Sequence, residues 1–162
     1  MFTAILISAL SASALIQQTD TIVDANGATR LDLENFRGEV VVRTWDRNAV
    51  RVQADHPSGR LVEIDRHGST IEIEVETKRG MGLTGSVDFH LTVPRGMDIS
   101  IEGMAIDVDV EGAGGEVEVN TIHGSIDLMG GRGNINLGSV NGHIFVEGAE
   151  GDLELSGVSG GI

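Results

Sequence analysis

From Arg95 to the last residue the chain falls into lines of nine: RGMDISIEG, MAIDVDVEG, AGGEVEVNT, IHGSIDLMG, GRGNINLGS, VNGHIFVEG, AEGDLELSG, VSGGI. Places five and seven are apolar in every complete line: Ile99/Ile101, Val108/Val110, Val117/Val119, Ile126/Leu128, Ile135/Leu137, Ile144/Val146 and Leu153/Leu155. The flanking places are mostly polar, so each line predicts one short strand with an inward and an outward face. Glycine recurs at place three (Gly115, Gly124, Gly133, Gly142, Gly151, Gly160) and often at place nine (Gly103, Gly112, Gly130, Gly148, Gly157). Corners explain both, because a Cβ is penalised at positive φ or where two backbones approach closely.

A slower rhythm overlies the first. Place one alternates between large residues (Met104, Ile122, Val140, Val158) and small ones (Ala113, Gly131, Ala149), which makes the true repeat 18 residues. A fixed period of this kind marks a stacked array whose units bury their apolar faces against one another. Five strand residues reach about 17 Å and facing strands need about 10 Å between them, so 18 residues suffice for one flattened coil. The expected fold is all-β: a β-solenoid, single-stranded and β-helix-like, with 18-residue coils of two short strands.

Residues 18 apart should then lie side by side. The outward columns read Glu116, Asn134, Asp152; Glu118, Asn136, Glu154; Asp107, Ser125, His143; and Glu111, Met129, Glu147. A neutral residue separates like charges in the first, second and fourth, as repulsion between adjacent strands favours.

The N-terminal half follows the same pattern less regularly, with longer strands and a hairpin. "GATRLDLEN" and "FRGEVVVRT" carry Leu31, Leu33, Val40 and Val42 in phase, and an extra residue after Trp45 shifts Val50 and Val52. "LVEIDRHGSTIEIEVE" predicts a hairpin turning near His67-Gly68, and "SVDFHLTVP" alternates Val87, Phe89, Leu91 and Val93. The glycine-rich "KRGMGLTG" between them is expected as a loop, and the section ending at Pro94 as the base or cap of the array.

Composition narrows the class. Aromatics are confined to Phe2, Phe36, Trp45, Phe89 and Phe145, so the core must be aliphatic. The net charge is −14, and from Gly96 onward twelve acids face a single base, Arg132. Such a surface repels phosphate backbones, which argues against nucleic acid as a partner. The start, "MFTAILISALSASA", joins an apolar run to the small-x-small pattern Ala12-Ser13-Ala14, so residues 1–14 are expected to be a signal peptide. It lacks the usual early Lys or Arg, and its apolar run is shorter than the roughly 20 residues a membrane span needs. Residues 15–27 are then an exposed N-terminal segment and 28–162 a single repeat domain, with no integral membrane segment after cleavage. With no cysteine present, neither lipidation of an N-terminal cysteine nor a disulfide can follow.

Chemistry is sparse. "GGRGNINLG" resembles the calcium-binding nonapeptide G-G-x-G-x-D-x-U-x, but Ile135 stands where the liganding aspartate belongs. His123, Ser125 and Asp127 would share one strand face at about 6.5 to 7 Å intervals, too far apart for a hydrogen-bonded relay. Pairs such as Asp107/Asp109 and Glu116/Glu118 lack the cleft that would split their pKa values, and the five histidines show no zinc-ligand spacing. No catalytic residue, metal site or cofactor is assigned. The candidate outward contact surface is Asn134, Asn136, His143, Phe145, Asp152 and Glu154.

The order of an apolar N-terminus, "LDLENFRGEVVVRTWDRNAVRVQA", a middle strand pair, "LTVPRGMDISIEG" and then units such as "VNTIHGSIDL" resembles the bacterial putative-adhesin family, a β-strand-repeat domain of unknown function, over residues 28–162. The resemblance implies an extracytoplasmic, periplasmic or secreted protein of the cell envelope, non-catalytic, serving as a binding, adhesin-like or scaffold module. An envelope protein or glycan is the partner expected, with end-to-end self-association through an open last coil as a further expectation. A polysaccharide-active enzyme on a β-helix scaffold is the alternative.

Overall fold

A computed structural model describes residues 16–78 and 85–162. The expected signal peptide and residues 79–84 of the expected glycine-rich loop lie outside these. The described residues form twelve strands and no helix. In chain order they are β1 (Ile16–Asp24), β2 (Arg30–Trp45), β3 (Ala49–Pro57), β4 (Arg60–His67), β5 (Thr70–Thr77), β6 (Asp88–Pro94), β7 (Asp98–Glu111), β8 (Val117–His123), β9 (Ile126–Met129), β10 (Ile135–Asn141), β11 (Ile144–Glu147) and β12 (Leu153–Ser159).

Two long strands organise the rest. β2 and β7 run parallel in register, Leu31 beside Ile99 and Val40 beside Val108, and each contributes its two halves to two different ladders. On the first ladder the N-terminal half of β7 is followed by β8, β10 and β12, all parallel: Ile99 pairs with Val117, Val117 with Ile135, and Ile135 with Leu153. On the second, the C-terminal half of β7 is followed by β9 and β11, with Val108 beside Ile126 and Ile126 beside Ile144. Every pairing from β7 onward joins residues 18 apart. The sheet does not close on itself; its longest path runs from β1 to β12.

The N-terminal strands extend both ladders on the other side of β2. There Arg30–Glu34 pair with β5, which forms an antiparallel hairpin with β4 turning through Gly68 and Ser69. Val40–Trp45 pair with β6, followed by antiparallel β3 and β1. Much of the segment expected to be an exposed N-terminal extension is therefore an edge strand, although most of its side chains are exposed. The loop between β2 and β3 is held by Trp45, whose Nε1 donates to the Ala49 carbonyl at 2.7 Å and whose ring lies 5.0 Å from the Arg47 guanidinium.

Both ladders bury their inward residues in one core. Leu31, Leu33, Val40, Val42, Val50, Val52, Val87, Phe89, Leu91 and Val93 are all buried, as are the place-five and place-seven residues from Ile99 to Ile144. Full burial of each such side chain contributes about 1.5 to 3 kcal/mol before conformational entropy is set against it. Burial declines at the last rungs: Val146 and Leu155 are half-buried and Leu153 is exposed. Ile135, in the aspartate place of the calcium-type repeat, points into this core.

The corners bring neighbouring rungs into backbone contact. Gly124 has φ +134°, and a Cβ there would overlap the Ile106 carbonyl oxygen; a Cβ on Gly142 would overlap the carbonyl oxygen of Gly124 in turn. Side chains at place four complete the corners. Asp98 Oδ1 accepts the Glu116 N–H at 2.8 Å, Asp107 Oδ1 accepts the Ser125 N–H at 2.8 Å, and His143 Nδ1 accepts the Gly161 N–H at 3.1 Å. Each bond joins residues 18 apart, so Asp107 is a corner cap as well as a solvated acid.

Candidate binding surface

The six residues of the expected contact surface are all exposed, but the fold divides them. Asn136 and Glu154 are direct neighbours in β10 and β12, with Asn134 and Asp152 preceding those strands. His143 and Phe145 belong to the other ladder, where Phe145 stands beside Asp127 of β9. Glu118, Asn136 and Glu154 do alternate acid and amide as the sequence suggests. The rule is not general, since Asp109 lies directly beside Asp127. There the Arg43 guanidinium compensates, donating to Asp109 Oδ1 at 2.9 Å and reaching Glu111 at 2.9 Å.

A different surface is more developed. Along the corner that follows the first ladder runs an open groove of about 820 Å³. One side is an apolar ridge made by the large place-one residues Met104, Ile122, Val140 and Val158, all exposed, with half-buried Phe36 at its β2 end. Their small counterparts at the opposite corner turn inward: Ala113 and Gly131 are buried and Ala149 half-buried. The alternation that marks the 18-residue repeat is thus one between an outward and an inward corner. Thr121 and Ser139 form the groove floor, their hydroxyls engaged by the Ile106 and Gly124 carbonyl oxygens at 3.4 and 3.0 Å.

The other side of the groove is acidic. Registers across β4, β5, β2 and β7 place Glu63 beside Glu74, Glu74 beside Glu34, and Glu34 beside Glu102. Four carboxylates therefore occupy consecutive positions on one row, an arrangement that costs stability because like charges directly opposite repel. Beyond Glu102 the row continues through Asn120, Gly138 and Ser156, which line the groove too.

On the adjoining row, Asp65, Glu72 and Asp32, two acids have partners: Arg30 Nε lies 2.6 Å from Asp32, and His67 Nδ1 3.1 Å from Glu72. Among the described residues no ion pair involves Glu63, Glu74, Glu34 or Glu102, and no Lys or Arg lines the groove. The Glu74 carboxyl sits above its ordinary pKa, raised first by the charge of Glu72 on the adjoining row, then by desolvation and by Glu34 on its own. Among the described residues no group of three or more His, Cys, Asp or Glu is placed to hold a metal ion.

Neither residue set was separable from the sequence alone. The ridge residues look like core in type, and the carboxylates are scattered between positions 34 and 102. The signal that could have found the ridge is its 18-residue spacing at a corner, where a side chain need not follow the strand's inward phase.

The fold defines an all-β strand-repeat protein built around parallel ladders, bearing an amphipathic groove along its length. It is similar to a putative cell adhesion protein from Clostridium sporogenes, with a TM-score of 0.57 at 11% sequence identity, covering 90% of this chain and 100% of that one. A putative adhesin from Bacteroides fragilis aligns over 90% of this chain and 97% of its own with a TM-score of 0.45 at 8% identity, too distant to carry an inference. At 11% identity the likeness to the Clostridium protein is one of fold, and it is consistent with the resemblance to the putative-adhesin family. No family model and no curated protein matches the sequence.

Proposed function

We propose that this chain is an exported, non-catalytic envelope protein whose 18-residue coils form a β-solenoid, and that it works as an adhesin-like binding or scaffold module. The observation that carries this reading is the groove itself. Met104, Ile122, Val140 and Val158 lie exposed in one line although the place-five and place-seven aliphatics from Ile99 to Ile144 are all buried. A contiguous apolar strip rimmed by polar groups is the usual form of an interaction site. The likeness in fold to a putative cell adhesion protein supports the same reading. The apolar start and Ala12-Ser13-Ala14 support export.

The test is co-sedimentation of the purified domain with isolated bacterial envelopes, beside the Ile122→Asp/Val140→Asp variant. Retention that the variant loses is the expected result; equal retention of both proteins removes the groove from the account. Pretreating the envelopes with protease or with glycan hydrolases identifies the source of the ligand. Release of reducing ends from envelope glycan by the protein would instead establish the enzymatic alternative. Expression of the full chain followed by fractionation tests export, the expectation being an extracytoplasmic product shortened at its N-terminus.

A further inference from the structure

We infer that the occupant of the groove is a cationic amphipathic helix presented by a partner protein, with its basic residues at the β4–β7 end and its apolar stripe along the ridge. This deepens the binding-module reading and rests on it. Charge supplies the first reason. The row Glu63, Glu74, Glu34, Glu102 concentrates four carboxylates that have no cationic partner among the described residues, whereas Asp32 on the neighbouring row is paired with Arg30. Three of the four line the groove. Lysine or arginine side chains placed there would offset the charges of Glu72 and Glu34 that, with desolvation, hold the Glu74 carboxyl above its ordinary range.

Polarity changes along the groove in a way that orients such a ligand. The acids end at Glu102 on β7, and the same row continues as Asn120, Gly138 and Ser156 on β8, β10 and β12. Apolar ridge residues, by contrast, extend the full distance from Phe36 to Val158. A matching segment is therefore basic at one end and apolar along one side.

Spacing selects helix over strand. Adjacent rungs lie about 4.8 Å apart, so the four ridge residues Met104 to Val158 span about 14 Å. A helix laid along the ridge repeats its apolar face about every 5.4 Å, accumulating a mismatch of only about 2 Å over that distance. A strand in the same position repeats each face about every 6.7 Å and is out of step by about 6 Å.

The probe is a fluorescently labelled synthetic peptide of leucine and lysine, about four helical turns long, with leucines at helical spacing and lysines clustered at one end. A scrambled peptide of equal composition is the control, and anisotropy is the readout. The probe is expected to bind, and both scrambling and added salt to weaken it. Glu34→Gln/Glu102→Gln and Val140→Asp should each weaken binding by about tenfold or more, as loss of a charged or central apolar contact does. These side chains are exposed, so thermal melting of the variants verifies that they fold. Equal binding of probe and scramble, indifference to Val140→Asp, or no binding at millimolar peptide would each overturn the inference. So would a dimer of the free protein that Val140→Asp dissociates, since a second copy would then be the occupant. Envelope retention that persists without peptide binding sinks this inference alone, whereas loss of both sinks the binding-module reading as well.

Discussion

Ile122 and Ile126 are the same residue type four positions apart, and the fold gives them opposite fates. Ile126 is 0% exposed between Val108 and Ile144, while Ile122 is 42% exposed on the groove ridge. Truncation to alanine removes three carbons from each. At about 0.8 kcal/mol per buried carbon the transfer term at Ile126 is about 2.4 kcal/mol, and the cavity left between two flanking rungs brings the total to about 3 to 4 kcal/mol. At Ile122 solvent already covers two-fifths of the side chain and fills the space left by truncation, so the loss is about 1.4 kcal/mol. The difference of about 2 kcal/mol corresponds to about 4 to 8 °C in melting temperature for a chain of this size. Differential scanning calorimetry of the Ile122→Ala and Ile126→Ala variants, at one pH and salt concentration, measures it directly. Equal shifts, or a larger one for Ile122→Ala, would refute the placement of the ridge outside the core.

Further expectations follow from the corners and the charges. Gly142→Ala should destabilise by about 3 kcal/mol or more, because its Cβ meets the Gly124 carbonyl oxygen and the rungs must separate; chemical denaturation reads the loss. Asp107→Ala should cost about 1 kcal/mol and Asp107→Asn less, since an amide oxygen can still accept the Ser125 N–H; the same assay distinguishes the two. Hydrogen bonding to Arg51 and the charge of that guanidinium lower the Asp20 pKa, so its contribution to docking β1 is complete above the ordinary value of 3.8 and is lost as pH falls through the lowered one. Hydrogen exchange should show β1 losing protection over that acid range. Glu74 has the opposite sign: its raised pKa makes the ionised form unfavourable in the folded protein. Glu74→Gln should therefore raise the melting temperature at neutral pH, and the gain should vanish as pH falls below the ordinary value of 4.5.

The repeat was legible because strand period and corner chemistry agree with each other. Alternation at places five and seven assigns the inward face, glycine marks the corners, and together they predict the neighbours Ile126 and Ile144 that the ladder contains. The outward fate of Ile122 and Val140 was not legible, because residue type does not report the phase of a side chain at a corner. The carboxylate row was hidden for another reason: it depends on β2 pairing with β5 and β7 at offsets of 40 and 68 residues. Those offsets are set by the hairpin and by the long return through β3 to β6, and no local period encodes them. Asp98, Asp107 and His143 read as surface polar residues, yet each caps a backbone N–H 18 residues away. Only the stacking reveals that use.

That stacking can be measured in a chain with no cysteine of its own. Asn136 and Glu154 are direct neighbours in β10 and β12, and the roughly 4.8 Å between adjacent strands lies within the Cα separation a disulfide accepts. Asn136 and Phe145, nine residues apart, belong to different ladders. Under mild oxidation, Asn136→Cys/Glu154→Cys should cross-link within the monomer and Asn136→Cys/Phe145→Cys should not. Cross-linking of the nine-residue pair in preference to the 18-residue pair would contradict the register on which the core, the groove and the carboxylate row all depend.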